Sequence, residues 1–281
     1  MRFSLVVATV NRTAELARFL AALAEQTYTN FELIVVDQNL DDRLRLVLAP
    51  YDSRFTIVHL HAALGVSHAR NVGLQQSCGE IVAFPDDDCW YPRELLARVA
   101  HVLEAHPDLG GLTGRSVDAQ GAQSGDARFD AQAGGVSLVN VWRRTCTYTL
   151  FLQRRVVETI GGFDETLGPG AGTPWGGGED IDYPIRALKA GFTLHYDPTI
   201  QVCHPSPPAL ASRAYQYGAG IGRVWSKHHF PLWYVLYHLI RPLGGSLLSL
   251  GRGEMPKTQY HWHAFRGRLT GWRSQGALKG G

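Results

Sequence analysis

One short run constrains this chain more than any other: Ile81-Val82-Ala83-Phe84-Pro85-Asp86-Asp87-Asp88-Cys89-Trp90-Tyr91-Pro92. Ile81 to Phe84 read as a buried strand, the three carboxylates fall at its C-terminal end, and Pro92 is placed to open a helix. Like charges a few ångströms apart repel and raise one another's pKa, so adjacent acids stay ionised only beside a compensating charge. A divalent cation is the simplest source of it. Oxygen ligands suit Mg²⁺ or Mn²⁺, and those ions commonly carry substrate phosphates. In a parallel α/β sheet, ligands bind beyond the carboxyl ends of the strands, where this run would lie. The alternative is a solvated acidic turn that caps the following helix.

The first half of the chain alternates strand and helix. Phe3 to Ala8 is an apolar run ending in Thr9-Val10-Asn11-Arg12, and Leu16, Phe19, Leu20 and Leu23 follow at helical spacing. Phe31 to Val36 is a second buried strand ending in Asp37-Gln38-Asn39; Phe55 to Leu60 is a third, Val66 to Ser77 a helix. That rhythm predicts parallel strands joined by crossover helices. Thr9 to Arg12, Asp37 to Asn39 and Asp86 to Asp88 should then meet on one edge of the sheet, a nucleotide-shaped arrangement.

The 281 residues suffice for one large α/β domain with an appendage, or for two small domains. A net charge of +2 gives no footprint for nucleic acid. Cys78, Cys89, Cys146 and Cys203 form no CxxC pair, which argues against a disulfide framework or structural zinc and fits a reducing cytosol. The opening apolar stretch is too short for a signal peptide and reads as a first strand. Neither GxGxxG after that strand nor GxxxxGK[ST] anywhere is present, so bound phosphates would need a metal and basic side chains. Arg70 is the best basic candidate, one turn into a helix opened by Gly65 and Ser67.

Gly114 to Gly135 is rich in Gly, Ala, Gln and Asp and reads as a loop excursion; Tyr148 to Leu152 is a strand and Arg155 to Ile160 a short helix. Gly168 to Gly178 holds six glycines and Trp175. Glycine has the most backbone freedom to lose, so this stretch reads as an active-site lid or a disordered loop, with Trp175 offered to a sugar face. Glu179, Asp180 and Asp182 then open an amphipathic helix. Helix-end electrostatics explains one or two of them, yet a carboxylate beside a lid is also placed to take a proton from a hydroxyl. Phe192 to Tyr196 is a strand, and His204 a lone histidine, structural or metal-ligating.

Taken together, Thr9-Val10-Asn11-Arg12, Val36-Asp37-Gln38-Asn39, Ala69-Arg70-Asn71, Asp86 to Asp88, Gly161-Gly162-Phe163-Asp164-Glu165, Gly178-Glu179-Asp180 and His204-Pro205 resemble the family 2 glycosyltransferases in order and spacing. The resemblance covers residues 1 to about 205. It implies an α/β GT-A fold, a Rossmann-like, mostly parallel sheet flanked by helices, with a nucleotide-binding half over 1–92 and an acceptor half over 93–205. It also implies a nucleotide-diphosphate sugar donor, Mn²⁺ or Mg²⁺, and inversion at the anomeric carbon. On it, Thr9, Asn11, Arg12, Asp37, Arg70, Asp86 and Asp87 bind the donor, Asp86, Asp88 and His204 hold the metal, and Asp180 is the general base. Trp175, Gly177, Gly178 and Glu179 would line the acceptor and lid. Two departures, Val10 where the family often has Tyr and Gln38 where it often has a second acid, touch base recognition. They leave UDP, dTDP and GDP open.

Residues 206–281 read as a helical, amphipathic extension. Phe230 to Pro242 and a second apolar piece, Leu243 to Leu250, make poor membrane spans but a plausible interfacial surface over 209–250, and Arg266, Arg268, Arg273 and Lys279 make the tail basic. The expectation is a peripheral protein on the cytoplasmic membrane face acting on a lipid-linked or cell-surface glycan; packing on the catalytic domain or a dimer contact is the plainer reading of the same residues, and the oligomeric state is left open. Two other functions fit the acidic run, a metal-dependent phosphohydrolase or nucleotidyltransferase, and a non-catalytic carbohydrate-binding scaffold.

Overall fold

The computed structural model describes residues 1–122, 129–205 and 211–274, with the backbone alone at 211 and 212. Part of the predicted excursion (123–128), Ala209 and Lys279 lie outside the described residues. The chain divides into two compact units, Met1–Phe163 with Tyr183–Ser206, and Asp164–Asp182 with Pro207–Gly281. Residues 164–182, assigned from sequence to the acceptor half of the catalytic domain, thus group with the C-terminal helices.

In chain order the first unit holds β1 (Phe3–Thr9), α1 (Ala14–Ala24), β2 (Phe31–Asp37), α2 (Arg45–Leu48), β3 (Thr56–His61), α3 (Val66–Gln76), β4 (Ile81–Ala83), α4 (Leu95–Ala105) and β5 (Gly111–Val117). It continues with β6 (Gly134–Gly135), α5 (Val141–Arg144), β7 (Leu150–Gln153) and α6 (Arg154–Ile160). α7 (Glu179–Lys189) crosses the boundary between the units, and β8 (Leu194–Cys203) closes the sheet. The strand order is β3-β2-β1-β4-β7-β5-β8-β6. β3, β2, β1 and β4 run parallel, β7 is antiparallel to both its neighbours, β8 is parallel to β5, and β6 returns antiparallel. β1 and β2 are nearly continuous apolar runs because both their faces are covered, the pattern of buried parallel strands. α1 buries Leu16, Phe19, Leu20 and Leu23. α3 comes so close to the sheet that a Cβ on Gly73 would overlap the Val6 side chain.

Three local readings need correction. The helix predicted from Pro92 begins at Leu95; Pro92 instead accepts the Leu95 N–H through its carbonyl at 2.9 Å in a preceding turn. The excursion read from Gly114 begins inside β5. Gly114 sits where β5 shifts register against β8, and a Cβ there would strike the Ile200 backbone. A glycine at such a bulge dilutes the strand pattern. The strand read over Tyr148 to Leu152 starts at Leu150, after a 3-10 turn over Thr147–Thr149.

In the second unit, α8 (Ala211–Lys227) and α10 (Met255–Arg273) pack with their backbones close together: Gly218 and Gly222 on one helix, Gly267 and Gly271 on the other, each lie where a Cβ would overlap the facing backbone. The two apolar pieces predicted around Pro242 are one helix, α9 (Leu232–Gly251). Proline removes the N–H that would bond the carbonyl four residues back. That carbonyl is His238's, and Arg268 Nη1 donates to it at 2.7 Å, so α10 supplies the missing donor. Among the described residues no helix is long and apolar enough to cross a membrane.

Candidate active site

Parallel strands β1, β2 and β3 end together because they are in register: Thr9 pairs with Asp37, and Asp37 with His61. Buried Asp37 accepts the Asn39 backbone N–H at 2.8 Å and its side-chain amide at 2.7 Å on Oδ1, while Oδ2 lies 3.1 Å from His59 Nε2. Asn11 adopts the left-handed region, φ 58°, and its N–H donates to Asn39 Oδ1 at 2.7 Å. Asn tolerates that conformation better than most residues. Gln38, the departure from the family pattern, is buried and accepts the Gly65 N–H on Oε1 at 2.8 Å, which ties the end of β2 to the start of α3.

The acidic run after β4 is wired to this edge residue by residue. Arg70 is buried in the first turns of α3, its guanidinium over the Phe163 ring, and donates from Nη2 to Asp86 Oδ1 at 2.9 Å. Arg12 Nη1 donates to Asp87 Oδ1 at 2.8 Å and pairs with Asp88 Oδ2. The end of β8 is held against the run by a bridge between Trp90 and Cys203, whose N–H groups donate to each other's carbonyls at 2.9 and 3.1 Å. His204, the next residue, stacks on Tyr148 and places Nε2 3.1 Å from Asp88 Oδ1.

The electrostatics divides the three acids. Burial pushes Asp87 up to about 6, against the pull of Arg12 and a hydrogen bond from Thr9. Burial acts the same way on Asp88, but His204 and Arg12 outweigh it and hold this carboxyl below its ordinary value. His204 is raised: burial disfavours its charge, and Asp88 more than compensates. Asp86, Asp88 and His204 each present one ligand atom, and these atoms all lie within 4.8 Å of one another. Two carboxylates and an imidazole, each still partly exposed, fit Mn²⁺ or Mg²⁺. Thr9, Asn11, Arg12, Asp37, Arg70, Asp86, Asp87, Asp88 and His204 therefore belong to one strand-end edge of the first unit.

The remaining predicted site residues belong to the second unit. Gly168 to Gly178 is an ordered turn rather than a shapeless loop, a difference with an identifiable cause. Gly168 N–H donates to the Trp175 carbonyl at 3.0 Å, the Thr173 hydroxyl donates to the Thr166 carbonyl at 2.7 Å, and Gly177 and Gly178 pack on Tyr217 and Gly220 of α8. Gly178 has φ 95°, a conformation only glycine adopts freely. Trp175, read as open to a sugar, carries the Arg223 guanidinium 4.7 Å from its ring centre. Glu179 is buried and Asp180 half-buried at the start of α7. Asp182 is 1 % exposed and lies 2.8 Å from both Lys227 Nζ and His228 Nε2; Lys227 also reaches Asp164 at 2.7 Å. Of the acids opening α7, Asp182 is thus an anchor.

Sequence reasoning missed the partners of these acids. His59 and His61, beside Asp37, escaped notice because the strand read over Phe55 to Leu60 stops before His61, although histidines two apart on a strand share a face. Asn71, part of the predicted Arg70 motif, spends its amide on structure, accepting the Phe163 N–H at 2.6 Å and donating to its carbonyl at 3.0 Å.

Comparison with known proteins agrees with this architecture. The profile of the glycosyl transferase family 2 matches residues 4–156. The chain is 27% identical over 234 residues to glycosyltransferase AglE of Haloferax volcanii, covering 79% of this chain and 73% of that protein. It is 31% identical over 103 residues to the Escherichia coli UDP-Glc:alpha-D-GlcNAc-diphosphoundecaprenol beta-1,3-glucosyltransferase WfgD, covering 36% of this chain and 41% of WfgD. Among solved structures, the mannosyltransferase PcManGT of Pyrobaculum calidifontis, in complex with GDP-Man and Mn²⁺, superposes with TM-score 0.66 at 17% identity, covering 96% of this chain and 86% of that one. The fold is GT-A, and the chain belongs to glycosyl transferase family 2.

Proposed function

We propose that this glycosyltransferase is metal-dependent and inverting, and that it moves a sugar from a UDP-, dTDP- or GDP-linked donor to a hydroxyl of a lipid-linked or cell-surface glycan. The carrying observation is the convergence of Asp86, Asp88 and His204 with Arg70 on the edge where Thr9 and Asp37 also end. Asp37, Thr9 and Asn11 would hold the nucleoside, and Arg70 and Arg12 would face the diphosphate once the donor loosens their hold on the acidic run. Asp86, Asp88 and His204 would hold Mn²⁺ or Mg²⁺, which when bound supplies positive charge to the diphosphate leaving group. Asp180 is proposed as the base: the acceptor hydroxyl gives it a proton as its oxygen bonds the anomeric carbon and the bond to the diphosphate breaks on the opposite face. The ordered turn of 168–178 would position the acceptor, with Trp175, Gly177, Gly178 and Glu179 lining it.

The same reading places the protein on the cytoplasmic face of a membrane. α9 buries Tyr234, Val235, Leu239 and Pro242, and exposes Trp233, Leu236, Tyr237, Ile240, Leu247 and Leu248 at helical spacing along another face. Arg241 lies against Tyr237, an aromatic and basic pair suited to headgroups. An apolar stripe of this extent marks a surface with a partner.

The test is a transfer assay with a panel of nucleotide sugars and polyisoprenyl-diphosphate-linked acceptors, with product stereochemistry read by NMR. One donor class should yield product of inverted configuration, and retained configuration or nucleotide release without transfer would contradict the proposal. Substituting Ile240→Glu with Leu247→Glu should leave turnover of a short-chain, water-soluble acceptor unchanged and reduce turnover of its polyisoprenyl-linked counterpart in anionic vesicles by about tenfold or more. Equal activity of the double variant on both would remove the membrane role.

A further inference from the structure

A second group of ligand atoms lies at the other end of the same sheet edge. Asp37, His59 and His61 each present one, all within 4.8 Å of one another. We propose that these three residues form a binding site for a zinc-class transition metal, distinct from the carboxylate-rich set at Asp86, Asp88 and His204.

The fold builds this arrangement from two adjacent strands. Asp37 is the last residue of β2 and the register partner of His61, the last residue of β3. His59, two residues earlier on β3, shares a strand face with His61, and the two rings lie 4.9 Å apart. Asp37 is already oriented for the task. Both hydrogen bonds from Asn39 fall on Oδ1, which leaves Oδ2 turned to His59 Nε2 at 3.1 Å. That spacing is close to the separation of about 3.3 Å between two tetrahedral zinc ligands with bonds of about 2.0 Å. His61 is exposed, so solvent can supply a fourth ligand. Hydrogen bonds that fix a ligating carboxylate from behind are the usual outer support of such sites. Arg43, a nearby cation, hydrogen-bonds both oxygens of Asp41 and Asn11 Oδ1, and the Asp37 charge also acts on it without a direct hydrogen bond between them.

Ligand chemistry separates the two sets. Two imidazoles and one carboxylate favour Zn²⁺ or Co²⁺ over Mg²⁺, whereas two carboxylates and one imidazole suit Mg²⁺ and Mn²⁺. An ion on Asp37 would also occupy the position assigned above to the donor nucleoside, so zinc-class ions should compete with nucleotide. That consequence rests on the transferase reading; the binding itself does not.

The test is titration of Co²⁺ into the full chain in excess Mg²⁺, followed by its visible d–d absorption, with no nucleotide present. Wild type and Asp88→Asn should bind Co²⁺ with the same affinity and spectrum. His61→Ala should weaken binding by about 100-fold or more, beyond the 10- to 100-fold typical of losing an outer-shell partner. His59→Gln, which keeps a hydrogen-bond donor for Asp37 but removes the imidazole, should do the same. Unchanged Co²⁺ binding in both histidine variants would overturn the proposal. So would loss of the absorption in Asp88→Asn, which would assign the ion to the other set.

Discussion

Replacing Asp180 with Asn is expected to lower the rate of sugar transfer by about 10² to 10⁴ while leaving nucleotide binding intact, the range associated with removing a positioned general base. The substitution keeps the size and one acceptor oxygen, and replaces the other carboxylate oxygen with an uncharged amide donor that cannot take a proton. Asp180 is half-buried at the opening of α7 and belongs to the unit of residues 164–182 and 207–281, whereas Asp86, Asp88 and His204 belong to the other. A loss confined to turnover, with donor affinity within about twofold of wild type, would identify a group used in the transition state rather than in binding. A variant that transfers at the wild-type rate would remove Asp180 from the mechanism.

Removing the carboxylate two residues later should act on stability instead. Asp182 is buried against Lys227 and His228, with Lys227 shared by Asp164. Breaking a buried ion pair by deleting one member leaves charge without compensation and costs about 3–5 kcal/mol. Asp182→Ala should therefore destabilise the helical unit by about 3 kcal/mol, the low end, because Asp164 still neutralises Lys227. Guanidinium unfolding followed by circular dichroism measures it, and a change below about 1 kcal/mol would mean that the network adds little to the native state. On this proposal, Asp180 and Asp182 divide a site role from an anchoring role within one turn of one helix.

Much of this could be read before any coordinates. The apolar runs of β1 and β2, the amphipathic α1 and the acids after β4 carry strong local patterns, and parallel pairing forces their polar ends onto one edge. Elements whose local pattern is overridden by tertiary contacts were harder. β5 contains Gly111, Gly114 and a register shift, so its strand character comes from its neighbours rather than its sequence. α9 continues through Pro242 because Arg268, 26 positions away, satisfies the carbonyl that proline abandons. The glycine-rich turn takes its shape from α8, which no composition argument could anticipate. Within the site, the residue types were legible but their pairings were not: Arg70 with Asp86, Arg12 with Asp87 and Asp88, and His204 with Asp88 each link segments distant in sequence.

Those pairings underlie the proposal that Asp86, Asp88 and His204 hold a metal that binds a nucleoside diphosphate. Calorimetric titration of UDP, dTDP and GDP, each with and without Mn²⁺, into wild type and Asp88→Asn addresses it most directly. One nucleotide should bind wild type only when Mn²⁺ is present, and Asp88→Asn should lose that metal-dependent binding. Equal binding with and without Mn²⁺, or unchanged binding in Asp88→Asn, would contradict it.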